Sequence, residues 1–281
     1  MDRSLYAVSD LHVSHPENRR IADALRPPST EDWLIVAGDV SETFDEVVAV
    51  LRALRGRFAK VIWTPGNNEL WTHPKDPVQL RGDHRYRALV AACRELDVLT
   101  PEDEFAVWRG AGGPLLIVPL FVLYDYSFRA PGTRTAAESL EYAYRTGVVC
   151  TDEMLLHPDP YPSREAWCQT RLVETERRLR AADPGLRTVL VSHWPLIRQP
   201  LEVLRFPEFA QWCGTERTAD WPARFRADLA VYGHLHIPRT TYYDGVRFEE
   251  VSLGYPREWR PWRGEQPQPM RAVLNGRAGL R

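Results

Sequence analysis

Five short stretches of this chain place oxygen and imidazole donors directly after an apolar run. Asp10-Leu11-His12 follows LYAVS, Gly38-Asp39 follows WLIVA, Gly66-Asn67-Asn68-Glu69 follows VIWTP, Ser192-His193 follows TVLV, and Gly233-His234-Leu235-His236 follows LAVY. Carboxylates, an amide oxygen and imidazoles are ligands for metal ions of intermediate hardness. Taken singly, each stretch is ordinary: Gly38-Asp39 reads as a turn, and Gly66-Asn67 suits the left-handed conformation that Gly and Asn tolerate. Taken together, in order and each at the end of a core strand, they predict one metal site. The D-x-H and H-x-H spacings fit continuing strands, in which residues i and i+2 point the same way.

Such donors converge only if the runs before them are neighbouring strands of an open sheet, whose carboxyl edge gathers ligands. Strands are expected at 5–9, 33–37, 60–64, 115–119, 188–192 and 229–232, all short and rich in Val, Ile, Leu and Trp. Helical periodicity covers 44–54, 84–96 and 164–181, and Cys168, Leu172 and Leu179 share one face of the last. Asp244-Gly245 between TTYY and VRFEEV is a type I′ hairpin signal. Residues 124–163, rich in Tyr, Arg and Pro without clear periodicity, read as a rim insertion in a single domain over 1–254. Residues 255–281, with six Arg against two Glu, read as a wrapped or frayed tail with a solvated charge.

With 281 residues and 44% hydrophobic content, the chain can bury a substantial core as one layered domain. A formal charge of −2 provides no field for nucleic acid or an anionic membrane, and neither is expected as a partner. Cys93, Cys150, Cys168 and Cys213 are widely spaced without a C-x-x-C pair, which predicts reduced, structural thiols. The strand pattern begins by Leu5, and the longest apolar run, 115–123, is short and interrupted by Pro119. A cytoplasmic location follows as the expectation.

The order D-x-H, G-D, G-N-x-E, S-H and G-H-x-H resembles the calcineurin-like metallophosphoesterase superfamily, over residues 5–251. That resemblance implies an α/β (α+β) fold, a four-layer αββα sandwich of two packed mixed sheets flanked by helices. More narrowly, DWLIVAGDV, FAKVIWTPGN, DPVQL, LYDYSF, EFAQWCGTERTADW and YGHLHIPRTTYYDGVRFEEVSLGYPREW resemble the actinobacterial 4′-phosphopantetheinyl hydrolases, which remove 4′-phosphopantetheine from carrier proteins. By this resemblance, Asp10, His12, Asp39 and His236 would hold one ion, and Asp39, Asn67, His193 and His234 a second, with Asp39 shared. The mixed donor set suits two divalent or trivalent ions, Mn²⁺, Fe or Zn²⁺, better than Mg²⁺ or a thiolate-preferring ion. Ions of this kind about 4 Å apart serve to clamp a phosphate and activate water. The implied partners are a phosphoester substrate and, for the narrower family, an acyl carrier protein.

One residue departs from the pattern. The superfamily has a histidine where this chain has Asn68, and the acid that follows, here Glu69, orients it. An amide donates a hydrogen bond but no proton near neutral pH, so general-acid help of about 10²–10⁴-fold is lost, most of all for a poor leaving group. Impaired turnover is the expectation, with Glu69 left as a partner for the Asn68 amide or for backbone. His73 or His15 from a nearby loop is a weaker candidate for a substitute acid. Trp71, Tyr124, Tyr126, Trp194, Trp212 and Trp221 lie near motif loops or in the family-like blocks, where rings could hold a pantetheine arm; tryptophans are otherwise core packing. Arg198, after His193, could reach a phosphate bidentately. Three functions remain open: a phosphodiesterase on the carrier-protein link, a phosphomonoesterase of a small metabolite, and a protein that binds metal and phosphate without hydrolysis.

Overall fold

The computed structural model describes residues 3–110, 113–263 and 268–275. In chain order its strands are β1 (Leu5–Val8), β2 (Trp33–Val36), β3 (Lys60–Trp63), β4 (Val98–Leu99), β5 (Ala106–Trp108), β6 (Leu115–Pro119), β7 (Arg187–Val191), β8 (Ala227–Tyr232), β9 (Arg239–Tyr243), β10 (Val246–Glu250) and β11 (Arg271–Leu274). The helices are α1 (Pro16–Ala24), α2 (Phe44–Arg55), α3 (Asn67–Leu70), α4 (Gly82–Glu95), α5 (Ala136–Arg145), α6 (Asp152–Leu155), α7 (Arg164–Ala181), α8 (Trp221–Arg224) and α9 (Pro256–Arg263). One sheet has the order β11-β1-β2-β3-β4 and the other β5-β6-β7-β8-β10-β9. Neighbours from β1 to β4, and among β6, β7, β8 and β10, run parallel; β11, β5 and β9 are antiparallel additions.

Parallel strands covered on both faces read as unbroken apolar runs, and WLIV of β2 is buried throughout. Successive side chains divide between two cores. Leu5, Ala7, Ile35, Ile117, Val189, Val191, Leu229 and Val231 pack in one cluster between the sheets. Val8, Leu34, Val36, Leu116, Val118, Leu190 and Ala230 turn the other way, into the core shared with the helices. There α2 contributes Val47, Val50, Leu51 and Leu54, one stripe at helical spacing, and burial of each such side chain stabilises by roughly 1.5–3 kcal/mol. The result is the four-layer α/β sandwich expected. The sheets meet at one end, where Ser9 N donates to Val251 O at 3.0 Å and Leu253 N to Ser9 O at 2.9 Å. That seam brings the end of β1 against the end of β10.

All six expected strands and three expected helices form, 115–119 and 164–181 with the expected ends and the rest shifted by a residue or two. Asp244 and Gly245 both have positive φ, 49° and 80°, in the two-residue turn between β9 and β10. Two stretches carry more order than their composition suggests. Within 124–163, α5 is capped by Thr135, which accepts from Glu138 N at 3.1 Å, and Tyr124, Tyr126, Phe128 and Leu156 enter the core. Beyond Tyr255, where a wrapped or frayed tail is expected, stand α9 and β11. Trp259 Nε1 donates to Asn18 Oδ1 at 3.0 Å, and Val273 of β11 joins the cluster between the sheets. Positions 264–267 and 276–281 of that stretch lie outside the described residues.

No helix among the described residues is long and apolar enough to cross a membrane. All four cysteines are free and buried, and burial pushes each thiol up. The native protein is therefore expected to resist an aromatic disulfide reagent and to titrate all four thiols once denatured. A rapidly labelled native thiol would contradict this packing.

Candidate metal centre

The strands stop before the donors begin. Asp10, His12, Asp39, His234 and His236 lie past the ends of β1, β2 and β8, each with φ between 42° and 70°. These are left-handed conformations, each held at about 1–3 kcal/mol against the preference of an L-residue. The common direction of Asp10 and His12 thus comes from two left-handed residues flanking Leu11, not from strand alternation, and His234 and His236 repeat the device around Leu235. Two motif glycines answer a separate demand. A Cβ on Gly66 would lie 2.1 Å from Asp39 Oδ1, and one on Gly233 2.3 Å from Asp10 Oδ2. The carboxylates of Asp39 and Asp10 occupy the space a side chain would need.

The seven expected ligands converge. In the first group, His236 Nε2 is 3.0 Å from Asp10 Oδ1 and 3.1 Å from His12 Nε2, and His12 Nε2 is 3.8 Å from Asp10 Oδ1. In the second, His193 Nε2 is 3.1 Å from Asn67 Oδ1, 3.2 Å from His234 Nδ1 and 3.6 Å from Asp39 Oδ1; His234 Nδ1 is 3.2 Å from Asn67 Oδ1. Ligand atoms of Asp10, Asp39 and His193 also lie within 4.8 Å of one another, which joins the groups. The inward atoms are fixed from outside. His193 Nδ1 meets the Ala37 carbonyl at 2.8 Å, which leaves the Nε2 lone pair facing inward.

These residues fit a pair of cations. Asp10, Asp39 and Glu69 are buried together, and burial, followed by the charges of Asp10 and Glu69, pushes Asp39 well above the usual carboxylate range. Burial opposes ionisation of Asp10 too, but His236, His193 and His12 hold it well below that range. Burial lowers His12, His193 and His234, favouring the neutral ring that ligates metal. For His236 burial acts downward as well, yet Asp10 and Glu258 outweigh it and favour positive charge at that ring. Convergent acceptors beside crowded buried carboxylates are what a divalent ion satisfies and a proton satisfies only in part.

Asn68 takes a position the sequence does not foreshadow. Its backbone N donates to Asp39 Oδ1 at 2.9 Å and its Nδ2 to Asp39 Oδ2 at 2.6 Å, while its own oxygen is buried without a partner among the described residues. The amide clamps Asp39 instead of facing a phosphate. Glu69, of its two expected alternatives, serves backbone: it accepts from Asp39 N at 3.1 Å, Val40 N at 3.0 Å and Gly66 N, and from Trp63 Nε1 at 3.2 Å. It ties the loops after β2 and β3 together, and burial pushes it up to about 6 against those bonds.

The residues expected to touch substrate are mostly walls. Trp71 and Trp194 are buried, Trp194 edge-on to His193 with centroids 5.0 Å apart, and Tyr124 is fully buried. Trp212 and Trp221 belong to the core. Arg198 is on the surface, donating to Arg129 O at 2.8 Å with Glu216 at 3.9 Å, so the salt-bridge role is the one it has here. His15 packs edge-on to Tyr255, and His73 Nδ1 accepts from Lys75 N within its own loop.

Sequence reasoning missed the outer partners. Asp152 Oδ1 accepts from Asn67 Nδ2 at 2.9 Å, Glu258 Oε2 lies 2.7 Å from His236 Nδ1, and Ser252 Oγ donates to Asp10 Oδ2 at 2.7 Å. It also missed two partly exposed rings over the ligands: Tyr255, stacked on His12 at 4.3 Å, and Phe209, on His234 at 5.9 Å. Asp152 has no spacing tie to any motif. Glu258 sits in YPREW, a block that carries the narrower resemblance, and that was its one signal.

Comparison with known proteins gives the family and the fold. The model of the calcineurin-like phosphoesterase family matches residues 4–238. Over 257 residues the chain is 57% identical to the [acyl-carrier-protein] phosphodiesterase PptH of Mycobacterium tuberculosis, covering 92% of this chain and 79% of that protein. The crystal structure of phosphopantetheinyl hydrolase (PptH) from Mycobacterium tuberculosis superposes with a TM-score of 0.94 at 55% identity, covering 97% of this chain and 96% of that one. Matched over most of its length and carrying the donors at its strand ends, the chain belongs to the calcineurin-like phosphoesterase family.

Proposed function

We propose that this protein is a two-ion phosphodiesterase that cleaves 4′-phosphopantetheine from an acyl carrier protein. The observation that carries the reading is the 57% identity to an acyl-carrier-protein phosphodiesterase across 92% of the chain. Asp10, His12, Asp39 and His236 would hold one ion and Asp39, Asn67, His193 and His234 the other, with Mn²⁺, Fe or Zn²⁺ the suited metals. Bound there, the ions supply Lewis acidity toward the phosphoryl group and a nucleophile at neutral pH.

The chain's own residues do the positioning. Asp39, held through both oxygens by Asn68, lies within 4.8 Å of both Asp10 and His193, and Glu69 keeps the loops after β2 and β3 in register. The neutral rings of His12, His193 and His234 present lone pairs. Asn68 has no proton to give the departing alkoxide, so this chain turns over a carrier-protein ester more slowly than a histidine at position 68 would allow.

The test is incubation of Mn²⁺-loaded protein with a holo carrier protein and, separately, an alkyl phosphate monoester. Intact mass is expected to show slow conversion of the carrier to its apo form, with the monoester spared. Cleavage of the monoester alone would favour a metabolite phosphatase. Binding of two ions and phosphate without either reaction would favour a recognition protein, the reading that the engagement of Asn68 with Asp39 supports.

A further inference from the structure

We propose that Asp152 and Glu258 are positioning residues, one for each half of the centre, and that each decides which atom its neighbouring ligand turns inward. The proposal rests on the two-ion reading above. Asn67 is the ligand whose orientation is most at risk: its Oδ1 can ligate, whereas its Nδ2 would repel a cation. The acceptors grouped around it in the absence of an ion would, if anything, draw the nitrogen inward. Asp152 opposes that. Its Oδ1 accepts from Asn67 Nδ2 at 2.9 Å and from Trp71 Nε1 at 2.7 Å, two N–H donors that keep this oxygen an acceptor. The amide nitrogen must face Asp152, and the oxygen faces His193 and His234.

The lever is itself held. Asp152 is fully buried, and Arg164 of α7 fastens its helix, donating from Nη2 to the Asp152 carbonyl at 2.7 Å and pairing through Nη1 with Glu153 at 3.0 Å. Glu258 acts on the other half. Its Oε2 lies 2.7 Å from His236 Nδ1 and accepts from Tyr255 N at 2.9 Å, so Nε2 is the atom turned to Asp10 and His12. Asp152 bonds none of the first group and Glu258 none of the second. The two act on different positions, and that makes them separable.

Mn²⁺ binding to the metal-free chain, with occupancy at each position read by anomalous scattering from crystals, tests this. Asp152→Leu, which leaves Asn67 Nδ2 without that acceptor, is expected to weaken Mn²⁺ at the Asn67 position by about 10–100-fold, the range for outer hydrogen-bond partners of metal ligands, while the His236 position keeps its affinity. Glu258→Leu, which removes the acceptor at His236 Nδ1, is expected to do the reverse. The exchange Asn67→Asp/Asp152→Asn, made with Trp71→Phe so that the indole N–H does not face the new amide donor, reverses donor and acceptor across the same bond, and is expected to recover the second position. A merely structural role would lower the thermal midpoint and both positions together, with no recovery on exchange. Equal loss at both positions, no loss at either, or failure of the exchange overturns the proposal; should Asp152→Leu fold poorly, the exchange variant decides. If the unsubstituted protein takes up no Mn²⁺, the two-ion reading fails and this proposal with it.

Discussion

Asn68→His is expected to raise turnover of a carrier-protein ester by about 10²–10⁴-fold, the span of general-acid catalysis, and to raise that of an activated aryl phosphodiester far less. In the present chain the Asn68 side chain is buried and donates to Asp39 at 2.6 Å; it can steady the carboxylate but cannot release a proton. An alkoxide leaves poorly without one, whereas an aryl oxide needs little. The check is kcat/KM for both substrates with both chains at fixed Mn²⁺. Equal gains would move the role to stabilising phosphoryl charge. A loss on both would make the clamp on Asp39 the native device of this centre.

Gly66→Ala is expected to cost about 10²-fold or more in activity while the fold survives. The added Cβ would stand 2.1 Å from Asp39 Oδ1 and 2.6 Å from Asp39 N, and the carboxylate is pinned by both nitrogens of Asn68. Reaching ordinary contact moves an Asp39 oxygen by about 1 Å, and displacement on that scale in a reaction centre costs about 10²-fold. Gly245→Ala makes the comparison. There φ is +80° with nothing within 4 Å of the added carbon, so the change costs on the order of 1 kcal/mol in backbone strain and leaves the centre alone. Activity, Mn²⁺ stoichiometry and thermal midpoint of the two variants separate the effects. Full activity in Gly66→Ala would mean that Asp39 is free to move.

The sequence displays the parts of this molecule that repeat a local rule. Apolar runs covered on two faces mark the strands, and donors at their carboxyl ends mark the ligands, because both follow from chain direction and burial. β4 and β5 are two and three residues long and β11 follows a Pro-rich stretch, so none carries enough pattern to be read. Asp152 and Glu258 were hidden for another reason. A carboxylate that supports a ligand needs only to arrive beside it, and Asp152 arrives from 85 residues away on a one-turn helix. The two stretches set aside as insertion and tail turn out to carry these supports. The i, i+2 spacing pointed to residues that do converge, but left-handed turns, not a pleat, bring them together.

Those left-handed turns also bear on how such a chain ages. Asp, Asn and His are the side chains that most readily tolerate this region after glycine. At Asp10, His12, Asp39, His234 and His236 the backbone therefore selects much the same alphabet as the ion. Randomise these sites, demand nothing but solubility, and the survivors would still be drawn from that short list. A lineage that had abandoned its chemistry would go on resembling a metalloenzyme long afterwards, and whoever transplants the centre to a new scaffold must carry over the loops, because side chains alone would not hold their aim.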